Sequence, residues 1–353
     1  MKPLSVLRSG RGGRPTIYDV AVEAGVSPAT VSRFINDSAP MSAATRKAVL
    51  NAIESLDFQP NTMARNLAAQ AAGSIAVLVP NITNPFFPEL LQGIQELTDE
   101  RGLALVFCDT GGVAERDRQY LDLARRGQVD GLILIGIGIP LPELRTVLDT
   151  GVVAVCVDRI PKLPELPSVQ GDHGLGAKLA TIHLLSLGHT RIVHLTGPAN
   201  LSVAQQRLAG FRAAMKKAGA KPGDVLVRRA DFSEEAGRRA VEGLLRDGVS
   251  FTAIFAGNDL CAIGAINGLY EAGIEVPKDV SVIGFDGIHI GAYVRPSLST
   301  VAQPIFDIGR TAAQLLVSRL EGGGANSSEH IELAPTLLLR RSTAAPRMEG
   351  DAV

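Results

Sequence analysis

The sequence of 353 residues predicts two architectures in one chain: a small all-α helix-turn-helix headpiece, then an α/β core of two doubly wound parallel-sheet lobes. Three observations carry this. Apolar residues recur at helical spacing over residues 17–56. From residue 74 onward an apolar strand, a turn, an amphipathic helix and a glycine repeat in that order. About seven or eight such units exceed one doubly wound sheet of ordinary width, so the core divides into two lobes.

The first headpiece helix, IYDVAVEAG, ends at Gly25. Ser27 can cap a second helix that opens with Pro28, where a missing N–H costs nothing, and Ser42 can cap a third, ATRKAVLNAIESL. Val20, Ala24, Val26, Val31, Ile35, Val49, Ile53 and Leu56 can form a small core. Two short helices joined by a tight glycine turn make a helix-turn-helix, which enters the major groove by the N-terminal end of its second helix. Ala29 and Arg33, four apart, share a face. Arg33 can hydrogen-bond a guanine edge while Ala29 allows close approach or meets a thymine methyl. Thr30, Ser32 and the first-turn amides suit phosphates, and Thr16 and Pro28 complete the headpiece's candidate DNA-contacting set. The competing reading of the same residues is a solvated helix with one stray arginine.

In FQPNTMARNLAAQAAGS, residues 58–74, Pro60 breaks the preceding helix and Asn61 can cap a new one. A helix of about ten residues is marginal alone in water, so this segment is expected to order only against a partner. Met63 and Leu67 share a face; Leu67 can wedge into a minor-groove base step, with Arg65 close by for phosphate or groove contact. An Ala-rich linker with an incidental leucine is the alternative.

The core strands read as SIAVLVP (74–80), LALVFCD (103–109), GLILIG (131–136), VVAVCVD (152–158), IVHLTG (192–197), AIFAGND (253–259) and VSVIGFD (280–286). Gly102, Gly127, Gly151, Gly188, Gly219, Gly248 and Gly273 close the intervening helices by supplying a left-handed residue. Strands apolar on both faces and alternating with helices imply parallel sheets covered on both sides. Ligands of such sheets bind beyond the carboxyl ends of the strands, where Pro80-Asn81, Asp109, Asp158, Gly197, Asn258-Asp259 and Asp286 fall. A cleft between two lobes facing each other along those ends is the expected site.

Composition narrows the function classes. Hydrophobic residues make up 46% of the chain, yet runs such as AVLV are far too short to span a bilayer. The net charge is −1, but residues 1–70 hold eight cations and five anions, giving +3 and leaving −4 for the remainder. A basic head on an acidic body suggests that only the head meets a polyanion. The opening MKPLSVLRSGRGGRP lacks the apolar stretch of a secretory signal and is read as a disordered basic arm of a cytoplasmic protein. Cys108, Cys156 and Cys261 sit in apolar segments and are expected as buried free thiols. His173, His183, His189, His194, His289 and His330 show no metal-ligand clustering, and no cofactor is expected. There is no GxGxxG after a strand, phosphate loop, GxSxG elbow or HExxH, which argues against an enzyme. A solute-binding protein feeding a sugar transporter is the rival class; the helix-turn-helix counts against it.

The motifs TIYDVAVEAGVSPATVSRFIND, FQPNTMARNL, SIAVLVPNITNPFF, VDGLIL, GHTRIVHLTGP, QRLAGFRAAM, AIFAGNDLCAIGA, DVSVIGFDG, LSTVAQP and LLRRST together resemble the LacI/GalR family of bacterial transcription regulators, over roughly residues 16–343. The resemblance implies a homodimer whose headpieces bind a pseudo-palindromic operator in double-stranded DNA. It implies a hinge, a core like a periplasmic sugar-binding protein, and a small effector that changes operator affinity. It places Pro28, Ala29 and Arg33 on the recognition helix and Leu67 at the intercalating hinge position. Phe86, Phe87, Asp172, Arg207, Phe232, Asn258 and Asp286 fall at effector-contacting positions, with Gln303 near a lobe crossover. Asp, Arg and Asn suit sugar hydroxyls and Phe suits ring faces. Leu201 stands where purine-sensing members carry arginine, while Asp158-Arg159 is similar to sugar-type members; a pentose, hexose or sugar acid is implied.

The expected boundaries are 1–15 for the arm, 16–60 for the headpiece and 61–73 for the hinge helix and linker. The core takes 74–343, with an N-lobe of about 74–171 and 303–329 and a C-lobe of about 172–302 and 330–343. Residues 344–353 are expected as a disordered tail, without heptads for a tetramerising coiled coil.

Overall fold

The computed structural model describes residues 15–35, 39–58, 72–136, 138–158, 163, 165–221, 223, 225–322 and 329–347. The chain forms two compact units, Met1–Ala71 and Ala72–Val353.

In the first unit, α1 spans Ile17–Ala24, α2 Pro28–Ile35 and α3 Ala43–Ser55. Thr16 and Asp19 form a reciprocal capping box at the start of α1: the Thr16 amide donates to Asp19 Oδ2 at 2.8 Å and the Asp19 amide to Thr16 Oγ1 at 3.4 Å. Gly25 then stops the helix at φ 63°. Ser27 Oγ accepts from the Thr30 amide at 3.2 Å and Ser42 Oγ from the Thr45 amide at 3.1 Å, so both expected caps are made. Val20, Val31 and Val49 are buried as the periodicity required; Ala21, Ala52 and Phe58 complete the core.

The second unit holds two six-stranded sheets among the described residues. In the first, β1 (Ser74–Val79), β2 (Ala104–Asp109), β3 (Gly131–Ile135), β4 (Val153–Val157), β5 (Ser168–Gly171) and β11 (His330–Leu333) lie in the order β11-β5-β4-β3-β1-β2. All its pairings are parallel. The second is ordered β12-β10-β9-β8-β6-β7 and contains β6 (Ile192–Thr196), β7 (Val225–Arg229), β8 (Ala253–Ala256), β9 (Ser281–Asp286), β10 (Ser299–Ala302) and β12 (Thr336–Leu338). Here β12 alone runs antiparallel, against β10. The seven strands expected from apolar runs are all present, and the seven helix-closing glycines have φ between 63° and 98°.

Helices cover both faces of each sheet. Phe86–Glu100 (α4), Ala114–Arg125 (α5) and Leu141–Leu148 (α6) belong to the first lobe, joined there by Ile305–Leu320 (α11). His173–Ser186 (α7), Ser202–Lys217 (α8), Glu234–Arg246 (α9) and Asp259–Glu271 (α10) belong to the second. Two helix pairs approach backbone to backbone. A Cβ on Gly93 of α4 would lie 2.0 Å from the Phe306 carbonyl of α11, and one on Gly264 of α10 would lie 1.8 Å from the Glu234 carbonyl of α9.

Three expected boundaries are corrected. The last crossing between lobes falls at 334–335, not 330, because β11 pairs with β5 from His330↔Ser168 to Leu333↔Gly171; Gln170 Nε2 donates to Glu332 Oε1 at 2.7 Å across that pair. The expected disordered tail begins too early. Ala344 is tied to Ser281 Oγ at 2.9 Å through its amide and accepts from His189 Nε2 at 2.8 Å, and Arg347 pairs with Asp279 at 2.6 Å. Finally, the linker ends before Ala72, whose amide donates to Asp130 Oδ1 at 2.6 Å while that of Ser74 donates to Oδ2 at 3.0 Å.

Candidate functional site

A cavity of about 620 Å³ opens beyond the carboxyl ends of β1, β3, β4 and β9, between the two lobes. Seven of the eight candidate effector residues line it: Phe86, Phe87, Arg207, Phe232, Asn258, Asp286 and Gln303. Phe86 and Phe87 open α4 and meet edge to face, with ring centroids 5.3 Å apart. Apolar side chains of Ile135, Ile139, Leu141, Leu201 and Val203 make up much of the remaining wall.

Arg207 organises the polar floor. It is 95% buried, an unusual place for a guanidinium carried by a helix, and every contact it makes answers that burial. Its Nη2 meets Asp286 Oδ1 at 3.2 Å, its Nη1 donates to the Gly257 carbonyl, and Nε and Nη2 point at His173 Nδ1 at 3.4 and 3.3 Å. The guanidinium carbon lies 3.9 Å from the Phe285 ring centroid and 5.5 Å from that of Phe232, so the charge is held between two aromatic faces. Gln303 Nε2 donates to the same Asp286 Oδ1 at 2.9 Å. Burial pushes the Asp286 carboxyl above its ordinary range, opposed by Arg207 and Gln303. Beneath it Asp259, which starts α10, is fully buried, and burial together with neighbouring Asp286 lifts it to about 8.

Asp158 and Asp286 share a backbone peculiarity. Their φ values are 67° and 114°, in a region that side-chain-bearing residues seldom adopt. Both sit at strand ends in the cavity wall, where such strain clusters in ligand sites. Asp158 was marked in the sequence only as a strand-end acid and a family-like motif; the cavity adds it to the site.

Asp172 is the exception. It does not line the cavity; its Oδ1 accepts from the Leu175 amide at 2.8 Å and caps α7. The backbone turns there from β5 into α7, so the acid is consumed by the orphan donors of the first helical turn. His173 beside it, which no motif singled out, is buried and contacts the site from behind. Asn258 also works as a cap, accepting from the Cys261 amide at 2.9 Å and donating to the Phe232 carbonyl at 3.1 Å, although it does reach the cavity. The three cysteines are buried, as expected.

In the headpiece, Ala29 and Arg33 are exposed on α2, Pro28 opens that helix and Ser32 is half-buried. Thr30 Oγ1 lies 2.9 Å from Ser27 Oγ. Thr16 is exposed and serves as the cap of α1. Tyr18 and Val22, four apart on α1 and 68% and 77% exposed, form a solvent-facing apolar pair that the core periodicity did not anticipate. Asn61, Arg65 and Leu67, with Met63 and Arg159, lie outside the described residues.

A helix-turn-helix unit on the same chain as a two-lobed, ligand-sized cleft defines a class: a DNA-binding regulator with its own sensor. The chain belongs to the LacI family of bacterial regulatory proteins. The family profile for bacterial regulatory proteins of the lacI type matches residues 16–61, and a periplasmic binding protein-like domain matches residues 181–343. The ribose operon repressor of Halalkalibacterium halodurans is 35% identical over 328 residues, 93% of this chain and 97% of that protein. The HTH-type transcriptional regulator GalR of Escherichia coli strain K12 is 35% identical over 336 residues, 95% and 98% of the two chains. Among solved structures, the lac repressor dimer bound to operator and the anti-inducer ONPF has a TM-score of 0.84 at 28% identity, covering 94% of this chain and all of that one. A LacI family regulator of Enterococcus faecium with bound ribose has a TM-score of 0.71 at 33% identity, covering 78% of this chain and all of that one. Among the described residues, no helix is long and apolar enough to cross a membrane.

Proposed function

We propose that this regulator is a cytoplasmic homodimeric repressor whose operator affinity is set by a sugar, or a sugar acid, held in the interlobe cavity. One observation carries the reading: a buried guanidinium between two aromatic faces, paired with a strained aspartate at the rim of a largely apolar cavity. Sugars present alternating hydroxyl edges and apolar ring faces, and that combination answers both. The ribose bound in the Enterococcus faecium structure and the name of the Halalkalibacterium halodurans relative put pentoses first among candidates.

On this reading two chains pair and present two headpieces to a pseudo-palindromic site, protein symmetry matching DNA symmetry. Arg33 reads a base edge with Ala29 beside it, while Thr16, Pro28, Thr30 and Ser32 set the register on the backbone. From the segment outside the described residues, Asn61, Arg65 and Leu67 complete the DNA contacts, with Arg65 at phosphate or groove and Leu67 at the central step. The effector shifts operator affinity by the difference in its binding free energy between two lobe arrangements, whichever sign that takes. The experiment is a thermal-shift screen of the full chain against pentoses, hexoses and sugar acids, followed by an operator titration with each hit. A sugar that binds and changes operator affinity supports the reading. A bound sugar that leaves operator affinity unchanged removes the regulatory link, and a screen without hits removes the effector class.

A further inference from the structure

His173 lies behind the cavity rather than in it. It is 99% buried, and its imidazole bridges two groups that do line the cavity. Nδ1 faces Arg207, with Nε at 3.4 Å and Nη2 at 3.3 Å. Nε2 lies 2.9 Å from Asp158 Oδ1. A guanidinium has donors only, so Nδ1 must offer its lone pair. The proton is thereby fixed on Nε2, which donates to Asp158. The ring is a neutral spacer with one accepting end and one donating end, and neither end can be exchanged.

We propose that His173 is a positioning residue for effector recognition: through this single tautomer it holds Asp158, on the N-lobe, in register with Arg207, on the C-lobe. The inference rests on the cavity being the effector site. Asp158 follows β4 at φ 67°, with its amide donating to the Val169 carbonyl at 3.0 Å, and His173 is the hydrogen-bond partner that orients its carboxylate. With Oδ1 taken by His173, its other oxygen has no hydrogen-bond partner among the described residues. Asp286 is arranged in the same way, with Oδ1 taken by Arg207 and Gln303. Two carboxylates therefore each keep one acceptor oxygen for a ligand. Acceptors of that kind select hydroxyl donors, and His173 sets the spacing between them by fixing one carboxylate relative to the cation that pins the other.

Two substitutions separate the ends of the ring. The amide nitrogen of Gln can stand in for Nε2 and donate to Asp158, whereas the amide oxygen of Asn can stand in for Nδ1 and accept from Arg207 but falls short of Asp158. Full-length wild type, His173→Gln, His173→Asn and His173→Phe would be titrated with D-ribose by calorimetry, with circular dichroism checking that each variant is folded. The expected result is binding within about threefold of wild type for H173Q and at least tenfold weaker for H173N and H173F. Binding by H173N and H173F equal to wild type overturns the proposal, as does an equal loss in all three. A second measurement does not need the ligand: nitrogen-15 spectra of histidine-labelled protein should show His173 neutral and protonated on Nε2, with that signal displaced in Asp158→Asn. A proton on Nδ1, or a charged ring, overturns the proposal. Failure of wild type to bind D-ribose, with the Nε2 tautomer present, instead counts against the pentose reading of the site.

Discussion

Replacing Arg207 by Met tests the site's electrostatics directly. The side chain keeps an unbranched, polarizable stem, shorter than that of arginine, whose sulfur can lie near the Phe285 ring, a contact worth about 0.3–1.5 kcal/mol. What it removes is the counter-charge of Asp286, whose side chain is only 7% exposed. Breaking a buried pair from one side costs about 3–5 kcal/mol, because the remaining charge stays desolvated. The net loss expected near pH 7.5 is therefore about 3 kcal/mol. Its pH dependence has a definite sign. Asp286 already sits above its unfolded value through burial, with Arg207 the largest opposing influence, so removing Arg207 raises it further. A carboxyl raised in the folded state favours the protein when protonated, and that contribution is lost as pH rises through the folded pKa. The penalty of R207M should consequently shrink on acidification, by at most about 1.4 kcal/mol per pH unit. Urea unfolding of the full chain, followed by circular dichroism at pH 7.5 and 5.5, reads both quantities. The double variant with Asp286→Asn should recover most of the loss, since it removes the stranded charge. A loss below about 1 kcal/mol at pH 7.5, a penalty independent of pH, or a double variant equal to the sum of the singles would refute the reasoning.

Three further outcomes follow from the same structure. Asp259, lifted to about 8 by burial and by Asp286, binds a proton in the folded chain that the unfolded chain releases at neutral pH; its contribution to thermal stability should fall as pH rises from about 6 to about 8 and level off above that, and Asp259→Asn should flatten that slope in melting curves. Gly264→Ala drives a methyl against the Glu234 carbonyl at 1.8 Å, backbone against backbone, and should cost at least about 1–3 kcal/mol by chemical denaturation. Thr16→Ala removes the α1 capping box and should cost the headpiece about 1 kcal/mol, seen as faster hydrogen exchange at the first amides of α1, while sugar binding to the core stays unchanged.

Most of the strands that could be read from sequence are buried on both faces; the edge strand β2 is half-exposed but keeps a nearly unbroken apolar run, ALVFC. SIAVLV and GLILI are wholly buried, so their apolar runs were unambiguous. Five strands were missed: VLVRR of β7, HIEL of β11 and TLL of β12 are half-exposed sheet-edge strands that mix polar with apolar residues, while SVQG of β5 and STVA of β10 are interior and mostly buried but only four residues long and half polar. Nothing in such a short run separates a strand from a loop. The site divides along a similar line. Asp286 follows from a strand-end position that the repeating pattern supplies, whereas Phe86 and Phe232 come only from the resemblance to the family. Asp158 and Asp172 could not be ranked that way, because both are acids at strand ends; the difference is that Asp172 precedes a helix whose amide it caps, while Asp158 ends β4 at a positive φ. Arg207 read equally well as a surface helix residue, and only the packing of α8 against β9 shows it buried.

The position of the polar groups bears on how a ligand could be coupled to lobe arrangement. His173 follows the first crossing between lobes and Gln303 lies on the second, between β10 and α11. The two crossing segments run side by side: a Cβ on Gly171 would sit 2.3 Å from Gln303 Oε1. Gln303 is in turn held to Asp286, and His173 to Asp158 and Arg207. Hydroxyls that engage Asp158 or Asp286 therefore compete with, or reinforce, bonds made by the very segments whose torsions change when lobes reorient. Coupling free energies of about 1–3 kcal/mol suffice for five- to 150-fold changes in affinity at a second site. One or two charge-assisted hydrogen bonds, each worth about 1.5–3 kcal/mol, cover that range. A sensor placed on its own hinge needs no longer pathway than the few side chains that join Asp158 to Gln303.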